Sequence, residues 1–266
     1  MADGLRWAVT DGPDGTSAVE LPADAVAARR LAEQARGGLW CARAAGGCGG
    51  RLAVVDGDPP GLGHTGDDPC AFRRRPAAAG HAYDHLRYRP ALLSWLTGQG
   101  HRPRVLRVPD AAGHPGLRLV VESLGAVLEV RLAPLSDTAW RARDDRARGA
   151  ARSVTWLYGP DADAAAATEA SVRGAALSLR RHDRGLLVGV RDAGGAVRWV
   201  RLAACSLTAD GVTAPGLEDA RAAHARRTAE RQEAARRAAR RPARRPARTR
   251  PGAAEELPLW PLASTA

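Results

Sequence analysis

Between Leu217 and Leu257 the chain has no large apolar residue, so any core has to be assembled from the residues before that stretch. The same region concentrates charge. Arg221 to Arg250 holds 12 Arg and two acids, Glu230 and Glu233, a net of +10 out of +11 for the whole chain. The rest of the protein is therefore close to neutral, and basicity belongs to an arm rather than to the body. The chain has no Lys, Ile or Asn, which points to a GC-rich bacterial genome. Codon bias accounts for Arg in place of Lys but not for its clustering.

With 266 residues the chain is long enough for one large domain or two small ones. Its start lacks a basic segment followed by an apolar run, and no stretch approaches the ~18 apolar residues of a membrane span. The four cysteines are unevenly spaced, unlike a secreted disulfide framework. A cytoplasmic protein with reduced thiols and no membrane association is expected.

Alternation over residues 5–21 around Asp11-Gly12-Pro13-Asp14-Gly15 predicts a hairpin. Asp24 caps a helix from about Ala25 to Arg36, ended by Gly37-Gly38. Residues 39–80 are rich in Gly and Pro and predict short loops held by something other than a core. Tyr88, Leu92, Trp95 and Leu96 recur at helical spacing, with Pro90 expected in the first turn. Strands follow at Arg104–Val108, Leu117–Ser123 and Ala126–Leu132, then a helix capped by Ser136 or Asp137, then a strand at Ser153–Tyr158. This α–β–β–β–α–β order predicts an α/β fold with the last strand reached by a crossover helix. The Ala-rich residues 161–183 read as helix or linker, and Leu186–Arg191 and Val197–Leu202 flank a hairpin turn.

Cys41, Cys48, His64 and Cys70 offer three thiolates and an imidazole, a set suited to tetrahedral Zn²⁺ although the spacing is looser than a C-x2-C knuckle. His81 and His85 share a helical spacing and read as structural. Cys205, after an apolar strand, reads as a buried thiol. In the hairpin, Arg118 and Glu122 share one face, as do Glu129 and Arg131, with the apolar residues opposite. That pattern fits a charged sheet face with cross-strand pairs, or a site.

The Cys/His region, a helix starting near His85, a hairpin with Glu129-Val130-Arg131, a helix bearing Arg143 and a strand ending Trp156-Leu157-Tyr158-Gly159 occur in this order. The order resembles the competence protein CoiA family over about residues 1–160. The resemblance implies a PD-(D/E)xK nuclease-like fold, in which acids on adjacent strands hold a divalent cation that activates water. Glu129 would be the metal-binding carboxylate and Arg131 the position after it. The family's aspartate, however, falls on Arg118 or Leu119, neither of which binds Mg²⁺. Arg131 stays protonated and cannot act as a base, though it can hold a phosphate. Glu122 or Asp110 would have to supply a second carboxylate.

The expected organisation is a zinc-ribbon-like region at 1–80, a nuclease-like α/β domain at 81–160, an αββ extension at 161–215, and a basic helical or disordered tail at 216–266. Residues 217–241 are strong helix formers without a core-facing stripe, and Pro242 stops the helix. Arg236, Arg237, Arg240, Arg241, Arg244, Arg245 and Arg248 form a guanidinium strip for phosphate backbones, with Arg118 on the body. The apolar motif Leu257-Pro258-Leu259-Trp260-Pro261-Leu262 suits a protein partner or the body itself. The expectation is a DNA-associated protein, DNA being favoured over RNA, whose incomplete catalytic set binds without cutting. One alternative is an active, Mg²⁺-dependent nuclease using Glu129 with Glu122 or Asp110. The other is a zinc-ribbon interaction module with a solubilising tail.

Overall fold

A computed structural model describes residues 5–108, 116–183 and 185–240. The chain divides into two units, 1–226 and 227–266. The N-terminal elements are β1 (Trp7–Val9), β2 (Ala18–Glu20), α1 (Ala25–Gln34), β3 (Leu39–Trp40), β4 (Arg51–Val55), β5 (Gly61–His64) and α2 (Ala71–Arg74). Then come α3 (Ala77–Gly98), β6 (Arg104–Arg107), β7 (Leu117–Val121), β8 (Ala126–Arg131), α4 (Asp137–Ala150), β9 (Ser153–Tyr158) and α5 (Asp163–Arg173). The remainder is β10 (Ala175–His182), β11 (Gly185–Asp192), β12 (Val197–Arg201), β13 (Ser206–Thr208), β14 (Gly211–Thr213) and α6 (Leu217–Arg240).

The fold is α/β, and the order α3–β6–β7–β8–α4–β9 is the one the hydrophobic pattern predicts. Among the described residues the larger sheet has seven strands in the order β12-β11-β10-β9-β8-β7-β6. β8–β9 and β9–β10 are parallel, each joined through a helix, and the outer pairs are antiparallel. β10, in the αββ extension, pairs directly with β9.

Both faces of this sheet carry packed layers, the second over its middle strands. On one, Leu117, Leu119, Leu128, Val130, Leu177, Leu179 and Val188 pack against Tyr88, Leu92 and Leu96 of α3 and against Leu207, Val212 and Leu217. On the other, Trp156, Tyr158 and Ala176 meet Trp140 of α4 and Ala165, Ala166 and Ala170 of α5. Small alanines let α5 approach closely, and the two tryptophans fill the space that remains.

Residues 39–80 depart from the loop-only expectation. β3, β4 and β5 complete a five-stranded sheet in the order β2-β1-β3-β4-β5, and Leu5 pairs with Leu62 to bring β5 back to the start of β1. This sheet has a core of its own, including Leu5, Val9, Leu39, Leu52, Leu62 and the first half of α3 (Ala79, Ala82, Tyr83, Leu86). α3 is thus a shared strut, its first half serving the small sheet and its second half the large one. Pro90 lies inside this helix rather than in its first turn. A mid-helix proline costs about 3 kcal/mol; burial of Leu86, Tyr88, Leu92 and Leu96 around it offsets that loss.

Candidate metal centre and the charged hairpin

Four segments of the small sheet converge on one point. Cys41 follows β3, Cys48 precedes β4, His64 ends β5 and Cys70 caps α2. Register pairing of Leu52 with His64 and of Leu39 with Leu52 stacks these ends together. The three sulfurs and one imidazole nitrogen all lie within 4.8 Å of one another. Cys41 Sγ and Cys70 Sγ are 3.6 Å apart, close to the ~3.8 Å edge of a tetrahedron with sulfur at ~2.3 Å from its centre.

The loop between Cys41 and Cys48 is shaped for this approach. A Cβ on Gly47 would overlap the Cys41 sulfur. Gly49 has φ +79° and donates its N–H to the Cys41 carbonyl at 2.8 Å. The Gly50 N–H donates to Cys48 Sγ at 3.3 Å. Tyr83 of α3 ties the loop to the helix, its hydroxyl oxygen accepting from the Ala42 N–H at 2.9 Å.

The donor groups of the site are shifted in different directions. Burial, opposed by the Cys48 N–H and reinforced by the neighbouring thiols, pushes the Cys41 thiol up to about 12. Burial also acts on Cys70, but the N–H groups of Phe72 and Arg73 and the Cys41 thiol outweigh it and bring that thiol below its ordinary value. Burial and the nearby Arg73 lower His64, which favours the neutral, ligating imidazole. His64 Nε2 is buried without a hydrogen-bond partner, an arrangement a metal bond completes. The group can hold a metal ion, which would displace the remaining thiol protons.

The charged side of the β7–β8 hairpin is arranged differently from a cation site. Arg118 lies directly opposite Glu129; its Nε donates to Glu129 Oε1 at 2.7 Å, and its Nη2 reaches the same oxygen. Glu129 is 2% exposed, covered from the side that carries α4 and α5, whereas the Arg118 side chain is 28% exposed. Arg131 is 1% exposed, and its guanidinium donates to the carbonyls of Ala133 and Pro134 at 3.0 Å each. It braces the turn into α4 and is withdrawn from any surface phosphate.

Glu122 is not brought to Glu129. It sits in the turn beyond the Val121–Ala126 pair, three residues along β8 or about 10 Å at ordinary strand rise. There it is solvent-exposed and pairs with Arg104 at 3.3 Å. Asp110 lies outside the described residues, as do Arg241, Arg244, Arg245, Arg248 and the apolar motif at 257–262. Arg236 and Arg237 are exposed on α6, which Arg240 ends, and Arg237 pairs with Glu233.

His81 Nε2 meets Asp161 Oδ2 at 2.9 Å, and His85 is buried within α3. Cys205 is buried, and burial pushes its thiol up to about 11. A further buried cluster left no sequence signal, because its members come from three elements. Asp144 of α4 accepts from Trp156 Nε1 at 2.8 Å, Arg148 Nε at 3.1 Å and Arg173 Nη1 at 3.1 Å, while Arg173 also reaches Glu169 at 2.8 Å. Among the described residues no helix is long and apolar enough to cross a membrane. No protein-family model matches the chain, and no curated protein or solved structure matches it either.

Proposed function

We propose that this chain is a DNA-associated protein similar to the competence protein CoiA family, in which a nuclease-like sheet holds nucleic acid without cutting it. The half-buried Arg118–Glu129 pair carries this reading. In the resembled nucleases the strand opposite the glutamate supplies an aspartate for the same cation. Here that position is a guanidinium whose donors occupy the Glu129 oxygen. Mg²⁺ requires several oxygen ligands in near-octahedral geometry, and a fixed positive charge on the carboxylate opposes its entry. Glu122, on the far side of the turn, supplies no second ligand.

Zinc is the metal that fits the Cys41, Cys48, His64 and Cys70 set, since three sulfurs and one nitrogen complete a closed tetrahedron with no position for water. Its contribution is structural, fixing β3, β4, β5 and α2 against α3. Thiolate ligands of this kind suit the reducing cytoplasm. Phosphate backbones are met first by the arm, whose guanidinium groups include Arg236 and Arg237.

The test joins metal content to binding. Elemental analysis of purified protein finds stoichiometric zinc, lost in His64→Ala. A gel shift with DNA is salt-sensitive and persists, weakened, after removal of residues 227–266. Absence of any shift with full-length protein at low salt would remove the DNA-associated reading. Zinc-loaded protein that binds no DNA would instead favour a zinc-ribbon interaction module.

A further inference from the structure

The body carries a basic surface of its own, on the large sheet. β10, β11 and β12 form one end of that sheet, with β12 as the edge strand. Their registers place two rows side by side on one face, Arg180–Leu187–Arg201 and Ser178–Gly189–Trp199. With strands ~4.8 Å apart and same-face neighbours ~7 Å apart, the rows span about 10 Å by 7 Å. Ser178 and Gly189 are buried, so the open part is Arg180, Leu187, Trp199 and Arg201, room for about one nucleobase.

The residues are disposed as a platform. Leu177, Leu179, Leu186, Val188 and Val190 turn to the opposite face and enter the core. Arg180 and Arg201 are exposed, and Leu187 and Trp199 are partly so. Gly189 gives the indole room to lie across β11, since a Cβ there would stand 3.0 Å from the Trp199 ring and 2.7 Å from Val197. The Arg180 guanidinium lies over the ring, Cζ 4.0 Å from its centroid. Neither Arg180 nor Arg201 has a carboxylate partner among the described residues, unlike Arg191, which pairs with Asp163.

An unneutralised pair of guanidinium groups beside an aromatic ring matches a chain that offers phosphates and flat bases together. An acidic peptide would use the arginines and leave the ring idle, and a duplex keeps its base faces stacked inside. We propose that this face binds single-stranded nucleic acid, with a base stacked on the Trp199–Arg180 pair and phosphates met by Arg201 and Arg180. The proposal rests on the DNA-associated reading and supplies the body's share of it.

The test uses the full chain and fluorescein-labelled oligo(dT), with binding followed by anisotropy over a salt series. The arm's attraction falls steeply with salt, whereas stacking persists. At elevated salt Trp199→Ala weakens oligo(dT) binding by about tenfold or more, and Trp199→Phe retains most of it. Binding of a duplex of the same length is unchanged by either. Replacing both Arg180 and Arg201 by Ser lowers the slope of log affinity against log salt by between one and two, since each phosphate contact to a single strand contributes about 0.7. These two side chains are exposed, so that variant decides the matter even where Trp199→Ala fails to fold. If the parent binds oligo(dT) and the Trp199→Phe and double-Ser variants match the Trp199→Ala variant at parental affinity, the platform is refuted while the DNA-associated reading stands. Equal losses on duplex and oligo(dT) refute the single-strand assignment. If the parent binds neither, the broader reading fails and takes the platform with it.

Discussion

Asp144 lies on the buried face of α4, where Arg148, Arg173 and the Trp156 indole donate to it. Burial alone would raise its pKa, but the Arg173 and Trp156 hydrogen bonds and the neighbouring positive charges hold it below 3.8. A depressed carboxylate stabilises the fold above its unfolded value and loses that contribution as pH falls through the folded one. Glu169 has the opposite sign: burial outweighs Arg173 and raises it above 4.5, so its protonation favours the folded state as pH falls toward 4.5. Asp144→Asn should therefore lower the urea midpoint at neutral pH, and the gap to the parent should close below pH 3.8. A gap that stays constant down to acid pH would show that the charge network contributes nothing. At the hairpin, Glu129→Ala should destabilise by about 3 kcal/mol, the low end for breaking a buried pair, because Arg118 retains some exposure to water. Urea unfolding measures this, and an unchanged midpoint contradicts it. The donor set Cys41, Cys48, His64 and Cys70 was legible as residue types, since few other roles gather three thiols and an imidazole. Asp144 and Arg173, 29 residues apart, were not, because nothing local marks two charges as partners across a helix pair.

At the scale of elements, legibility followed exposure. β7 and β8 alternate because one face meets the α3 core, and β9 ends in aromatic residues where α4 and α5 cover it. Those strands were plain in the sequence. β10 was not: Ala175, Ala176, Leu177, Ser178 and Leu179 are all buried, so alternation is absent and the small residues blend into the Ala-rich helix before them. β3 and β5 are 2 and 4 residues long, and β5 carries two glycines; both are too short for periodicity to register. Pro90 shows tertiary packing overriding a local rule. Its ring is exposed and it has no N–H to donate one turn back, so Pro90→Ala should stabilise by about 1–3 kcal/mol. A lower thermal midpoint in that variant would mean that the proline bend itself fits α3 to its two cores.

Across the whole molecule, the small sheet is the part that carries the candidate metal centre. Its strands run from 2 to 5 residues, and sheets this small need a staple beyond their own apolar area. Chelation, or Cys48→Ser, should raise amide hydrogen exchange in β3, β4, β5 and α2 and lower the thermal midpoint, while β8, β9 and β10 remain protected. Loss of protection in β9 at the same rate would place both sheets in one cooperative unit through α3. In the proposed reading the arm and the body divide the work of binding: charge gathers in residues 221–250, and specific chemistry falls to the sheet that carries Arg118 and Glu129. The most direct test incubates full-length protein with plasmid and single-stranded DNA in Mg²⁺ or Mn²⁺ and follows binding and strand breakage in the same samples. Salt-sensitive binding with no cleavage in either metal is the expected result; cleavage that disappears in Glu129→Ala would contradict a sheet that holds DNA without cutting it.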